Sequence, residues 1–380
     1  MTSRHVARLV VALSLLALAA APSAVAKTRT YTLGEFKLPD ARIDQLRDRF
    51  VDQISARYPA GSWAPMKYEL SNRDLKLMGL PSKQVLLSHR YKHPTAVYPS
   101  GRMLRLSTQA RGRKGGGSAS AAATPIVAFA GTGYFGIRPG GWLLLMNGGS
   151  IGWCSFAHVY GTPGTYKIST AGHCGKVGDT ATVIGALGDK TVAGVSVPVL
   201  MDIGKFSSST GDGGIGNDWA LITVDPPYQP LVTPTMAFWG GPIGTYTATG
   251  EVVSADLVNG GVSVTPNPTL VQQVVHYGHG AGLGAGGTPR SGTAITWRPN
   301  YFAFFGAITP GDSGSGSNTL TGDTVGANRE AAGINTHIYV DGSLRTGLGL
   351  MAGTRATLVA ATLANGQIVP YPAPTPVPLP

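Results

Sequence analysis

From residue 126 onward the chain is a succession of short apolar runs, each ended by Gly, Pro, Asn or Asp. Such runs cover 142–146, 166–169, 181–184, 192–199, 219–224, 250–255, 262–265, 270–277, 293–297 and 332–338. Runs of this length bounded by turn residues read as strands, because a helix needs a longer apolar period to bury one face. The chain has 54 Gly and 27 Pro, and only 13% of it is charged, which suits turn-rich β structure better than a helical bundle. The pattern therefore predicts an all-β sandwich or barrel. One short helix is expected over 354–363, ahead of a Pro-rich stretch that stays extended. There are no internal repeats.

The first 26 residues have the pattern of an export signal. Arg4 and Arg8 form a positive start, 9–21 is apolar, and Ala24-Val25-Ala26 is a small-residue cleavage site, so the mature chain is expected to begin at Lys27 outside the cell. Pro22 and Ser23 stop the apolar run before it can span a membrane, and no later segment is long and apolar enough to do so.

Residues 27–110 form a segment of their own. Asp40 is placed to cap a helix on which Ile43, Leu46, Phe50, Ile54 and Tyr58 recur, with Pro59 and Gly61 to end it. A shorter mixed stretch follows. Residues 111–125 are small, basic and low in complexity, so they read as a flexible linker; Arg111, Arg113 and Lys114 expose it to a trypsin-like processing enzyme. The strand-rich domain occupies 126–365, and 366–380 is the Pro-rich tail.

The net charge of +11 is not spread evenly. Residues 27–125 hold 18 basic against 7 acidic side chains, whereas 126–380 hold 10 against 12. The strand-rich domain is thus close to neutral, and no nucleic-acid partner is expected. The basic segment suits a solvated face, a pro-region, or contact with acidic cell-wall or membrane polymers.

Cys154 and Cys174 are the only cysteines, and in an exported chain they are expected to pair. Closing so short a loop contributes roughly 3 kcal/mol in the chain-entropy picture. A metal site on these two cysteines lacks further ligands at suitable spacing. His276 and His279 stand in His-Tyr-Gly-His, but no carboxylate cluster accompanies them, and an exposed loop is expected there. Neither a metal nor a cofactor is expected.

Two motifs carry chemistry. Pro310-Gly311-Asp312-Ser313-Gly314-Ser315 sets a serine on a glycine turn, where the backbone bends sharply and aims two N–H groups at one spot. Thr170-Ala171-Gly172-His173-Cys174 sets a histidine beside a half-cystine. Hydrolysis of an amide needs a nucleophile, a base to take its proton, a group that orients the base, and an oxyanion cradle. Ser313 and His173 fit the first two roles, since imidazole alone titrates naturally near neutral pH. Asp202, Asp212, Asp218 and Asp225 lie between them. Asp202 and Asp212 fall in a Gly/Ser-rich stretch, Asp225 ends a strand, and Asp218 opens the apolar run Trp219-Ala220-Leu221-Ile222.

The order His, Asp, Ser and the motifs around them resemble the secreted bacterial chymotrypsin-like serine proteases. The resemblance is strong at 166–175, 216–224 and 309–316, moderate across 126–365, and absent from 27–110. It implies a double β-barrel with the active site in the cleft between barrels and a short C-terminal helix, preceded by a small mixed N-terminal pro-region. It implies His173, Asp218 and Ser313 as the triad, since Asp218 alone has the family's Asp-x-Ala-Leu context. Gly311 and Ser313 then supply the oxyanion N–H groups. A Cys154–Cys174 bridge fits the same family, and Ser315 replaces a usual glycine. Asp312 should pair with a cation, for which Arg138 and Arg298 are candidates. The base of the primary specificity pocket should fall near Ala307, where no acid stands, which argues against Lys or Arg as the preferred residue. Thr336 stands where a serine bonds the catalytic aspartate, and His337 could narrow the pocket or read an acidic side chain. A small or apolar residue is the expected preference.

The reading is a secreted, monomeric serine endopeptidase acting on proteins or peptides and made as a zymogen. Two others stay open. One is a catalytically silent protease-fold module for binding or adhesion; the other is an esterase or protease of narrow specificity. Residues 27–110 are a pro-region or a permanent domain.

Overall fold

The computed structural model describes residues 30–106, 126–129, 137–192, 194–258, 261–281, 288–308, 311–321, 329–363 and 368–370. The export signal, the basic linker, Pro310 and the end of the Pro-rich tail lie outside these residues. No helix among them is long and apolar enough to cross a membrane.

Twelve strands build two barrels. The first uses β1 (Trp142–Asn147), β2 (Ser150–Ser155), β3 (Lys167–Thr170), β4 (Thr180–Val192), β5 (Val195–Ser209) and β6 (Ala220–Val224), hydrogen-bonded in the order β2–β1–β4–β5–β6–β3. It closes because the chain leaving β2 runs on to Val159–Tyr160, which pair with β3. Ala157 N–H donates to Ser169 O at 2.7 Å and Ser169 N–H to His158 O at 2.9 Å, sealing the seam. The second barrel uses β7 (Gln273–Gly278), β8 (Thr288–Trp297), β9 (Tyr301–Gly306), β10 (Gly316–Leu320), β11 (Glu330–Tyr339) and β12 (Gly349–Arg355). Its order is β11–β10–β7–β8–β9–β12, and β12 pairs back onto β11, so this ring of six strands has no free edge. The protein is thus all-β, with a short C-terminal helix over Ala356–Ala361.

β1 shows how sequence becomes packing. Leu143 and Leu145 point into the first barrel with Val183, Met201 and Leu221. Trp142, Leu144 and Met146 point the other way, into a cluster that also holds Ile43, Leu46 and Phe50 of α1 (Asp40–Ser55). A strand buried on both faces reads as a continuous apolar run, and this one does. Helix α1 buries Ile43, Leu46, Phe50 and Ile54 as its sequence period predicts, and Val51 with them, but it ends at Ser55, so Tyr58 lies beyond it. Its N-cap is Pro39, with Asp40 the first helical residue. The N-cap expected at Asp40 is corrected by one position, because Pro39 already accepts the first turn's N–H groups of Arg42 and Ile43.

Residues 30–106 lend strands to both barrels. Thr30–Gly34 pairs with β4, Thr95–Val97 with β5, Tyr68–Glu69 with β2, and Trp63–Pro65 with β11. The same apolar cluster runs from α1 to Trp297, Phe302 and Phe304 of the second barrel.

Candidate active site

The pairing of β3 with β6 brings two of the predicted residues together. Thr170 sits opposite Ala220 in antiparallel register. His173 lies three residues beyond Thr170, in the turn Gly172–Cys174, and Asp218 two residues before Ala220. The strand ends therefore deliver imidazole and carboxylate to one point. His173 N–H donates to Asp218 Oδ1 at 2.9 Å, and His173 Nδ1 lies 2.6 Å from Asp218 Oδ2. A carboxylate facing Nδ1 fixes the proton there and leaves Nε2 as the acceptor. Ser313 Oγ lies 2.5 Å from that Nε2. Asp218 is fully buried; its N–H donates to Thr354 Oγ1 at 3.2 Å, and that hydroxyl donates to Asp218 O at 3.0 Å.

Ser313 stands on the turn that leads into β10. Gly311 has φ +88°, and a Cβ there would meet Trp153 Cε2 at 2.3 Å. Gly314 has φ +80°, and its Cβ would meet Thr170 Oγ1 at 2.1 Å. Both positions need glycine for conformation and for space. The turn is pinned from both barrels. Ser155 N–H donates to Ser313 O at 2.7 Å, Ser155 Oγ donates to Gly311 O at 2.6 Å, and Gly314 N–H donates to Asn335 O at 2.7 Å. Among the described residues the N–H groups of Gly311 and Ser313 have no acceptor. Cys154 and Cys174 are bonded, with Cα atoms 6.3 Å apart, which anchors the histidine turn to β2.

Asp312 points away from Ser313 and is buried. Its partner is Arg290 of β8, whose Nη1 donates to Oδ2 while Nη2 donates to Gly280 O at 2.8 Å; Gly280 N–H donates to Oδ1 at 3.0 Å. The expectation of Arg138 or Arg298 is corrected: the residue type holds, the position does not. Arg298 pairs instead with Glu251 near the surface. A buried carboxylate without such a cation would be costly.

The expected specificity residues are placed as follows. Ala307 follows β9 and its carbonyl lies 3.1 Å from His276 Nε2. Thr336 Oγ1 donates to Ala352 O at 3.3 Å and lies 2.9 Å from His337 Nδ1. His337 turns its ring toward the aspartates, with Nδ1 3.8 Å from Asp218 Oδ2 and Nε2 3.5 Å from Asp212 Oδ1. Burial pushes His337 below its ordinary pKa, with help from the nearby His173 and against the pull of Asp218 and Asp212. Of the aspartates weighed against Asp218, Asp202 is taken up by Thr182 Oγ1 and Tyr91 N–H, at 2.7 and 2.9 Å.

The exposed loop expected at His276 and His279 is also corrected. Both are buried. His276 belongs to β7, and His279 Nε2 lies 2.8 Å from Glu35 Oε1, which also accepts from Tyr277 Oη at 2.6 Å. Burial acts to raise the Glu35 carboxyl, but His279, Tyr277 and Lys37 hold it below the usual carboxylate range. Residues 27–110 gave no local sign that one of their carboxylates reaches the second barrel.

No family model matches the chain, and no curated protein does. Solved structures similar to it include Thermobifida fusca protease A, at 16% identity and TM-score 0.32, covering 61% of this chain and 98% of that one. A glutamic-acid-specific serine protease matches at 17% and 0.33, covering 61% and 100%. An alpha-lytic protease homolog, N4, matches at 14% and 0.29, covering 60% and 96%. Likeness at these scores carries no weight for function, and the two barrels rest on the strand pairing itself.

Proposed function

We propose that the chain is a secreted serine endopeptidase in which His173, Asp218 and Ser313 act as a triad. The observation that carries this reading is the relay Ser313 Oγ, His173 Nε2, His173 Nδ1, Asp218 Oδ2, with steps of 2.5 and 2.6 Å. Ser313 Oγ attacks the substrate carbonyl carbon while His173 Nε2 takes its proton. Asp218 stabilises the imidazolium without itself being protonated. The N–H groups of Gly311 and Ser313 receive the oxyanion, a contribution of about 3–4 kcal/mol per donor. Collapse expels the amine, which takes the proton from His173. Water then repeats the sequence on the acyl-enzyme.

In this reading residues 1–26 direct export, 27–110 form a pro-region, and cleavage within 111–125 accompanies maturation. Full burial of Ser313 favours a second reading while residues 30–106 stay in place: a silent protease-fold module. The test compares hydrolysis of an unfolded protein substrate by the secreted protein with that by its Ser313→Ala and His173→Ala forms. Turnover that both substitutions abolish is expected. Turnover retained by Ser313→Ala, or absent from the folded, processed wild type, contradicts the proposal.

A further inference from the structure

The segment 63–69 runs from β11 of the second barrel to β2 of the first. On one side it adds a strand to β11: Trp63 pairs with Tyr339, Ala64 with Ile338 and Pro65 with His337, and Met66 N–H donates to Thr336 O at 2.9 Å. The ladder begins earlier, with Gly61 N–H on Val340 O and Val340 N–H on Ser62 O, each at 2.8 Å. Pro65 falls where the backbone nitrogen faces away from β11, so its missing N–H costs no bond. On the other side the segment joins β2, with Tyr68 opposite Trp153 and Glu69 opposite Gly152.

Those two partner strands are the ones that pin the nucleophile turn. β11 holds Gly314 through Asn335 O and holds Met66 through the next residue, Thr336. β2 holds Ser313 through Ser155 and holds Tyr68 opposite Trp153, whose ring lies against Gly311. Met66 and Tyr68 are two residues apart, about 7 Å of extended chain. The peptide between them therefore links the two strands that pin Ser313. Met66 is fully buried, in the apolar cluster that includes Ile308, Ile338 and Met351, whereas Lys67 is exposed. An extended chain gaining main-chain bonds at a sheet edge while one side chain enters a buried site is how a peptide is recognised by strand addition.

We propose that residues 63–69 occupy the substrate groove in the register of a substrate, with Met66–Lys67 as the bond presented to Ser313. The inference rests on the triad reading above and adds a substrate class: protein chains with a long, unbranched apolar side chain before the bond to be broken. Ser313 Oγ bonds to the Met66 carbonyl carbon and His173 takes the serine proton. The C–N bond to Lys67 breaks, and the Lys67 nitrogen leaves with the proton from His173. Water hydrolyses the Met66 ester and frees Ser313. The Gly311 and Ser313 amides have no acceptor among the described residues, Met66 O included, so the Met66 carbonyl has to shift into that cradle for attack.

The experiment follows the full chain after secretion, with fluorophosphonate labelling of Ser313 and N-terminal sequencing of every fragment in the same sample. Wild type and Met66→Leu should be cut between Met66 and Lys67 at rates within about tenfold of each other. Met66→Asp should be cut there at least a hundredfold more slowly, and Ser313→Ala not at all. Labelled Ser313 with Met66–Lys67 intact in both wild type and Met66→Leu overturns this inference and leaves the triad reading standing. So does cutting of that bond in Ser313→Ala. Absence of labelling in every form overturns the triad reading and this inference together.

Discussion

At the residue scale, the site depends on a few groups whose partners are fixed by register. Asp218→Asn keeps the shape but favours the wrong histidine tautomer. Its kcat should fall by roughly four orders of magnitude with KM little changed, as steady-state kinetics would read. A kcat within tenfold of wild type would remove Asp218 from the relay. Arg290→Met leaves Asp312 buried without its cation. Urea unfolding should show a loss of about 3–5 kcal/mol, and the Arg290→Met/Asp312→Leu pair should recover most of it. That His173, Asp218 and Ser313 come together was legible in the sequence because two of them sit in short motifs, glycines around Ser313 and a half-cystine beside His173, and Asp218 opens an apolar run. Arg290 was not legible. What selects it is the antiparallel register that sets it opposite His276, next to the Gly280 loop, and no local motif encodes that.

At the element scale, the apolar runs at 142–146, 181–184, 219–224 and 332–338 were readable as strands, whereas β2, β9, β10 and β12 were not. β10 carries Ser317, Asn318 and Thr319, all buried, and reads as a loop because its side chains are paid for by hydrogen bonds rather than by apolar contact. Ser317 Oγ donates to Asn335 Oδ1 at 2.6 Å, and Asn318 Oδ1 lies 2.9 Å from His158 Nε2, which ties β10 to the first barrel. That contact has a pH signature. Burial pushes His158 and His276 down to about 4. In the unfolded chain each takes up a proton near pH 6.5. The folded values lie below the unfolded ones, so the stabilisation from the neutral rings is complete above about pH 6.5 and is lost as pH falls toward 4. Each ring costs up to about 1.4 kcal/mol per pH unit in that window. The melting temperature should be flat across neutral pH and fall steeply between 6 and 4.5, with a shallower fall in His276→Gln. An unchanged slope in that variant would contradict the account.

At the scale of the whole molecule, the sequence separates a mixed N-terminal segment from a strand-rich domain. The structure joins them through one apolar cluster and through strands of two to five residues added to both barrels. Strands of that length leave no periodicity to read, so these added pairings have no signal in the sequence. Phe50, in α1, packs edge-on to Tyr68, with ring centroids 5.4 Å apart, at the start of the crossing to β2. Phe50→Ala should cost about 3–5 kcal/mol in the full chain, read by denaturant unfolding as a shift of the single main transition. A separate early transition that leaves barrel fluorescence unchanged would instead mark residues 30–106 as an independent unit.

The central claim is that Ser313 is an activated nucleophile. Mass mapping of the fluorophosphonate adduct on the secreted, processed protein tests it most directly. The account predicts one modified residue, Ser313, with labelling lost in His173→Ala and strongly slowed in Asp218→Asn. Labelling elsewhere, or a folded and processed chain that takes up no label, would contradict it.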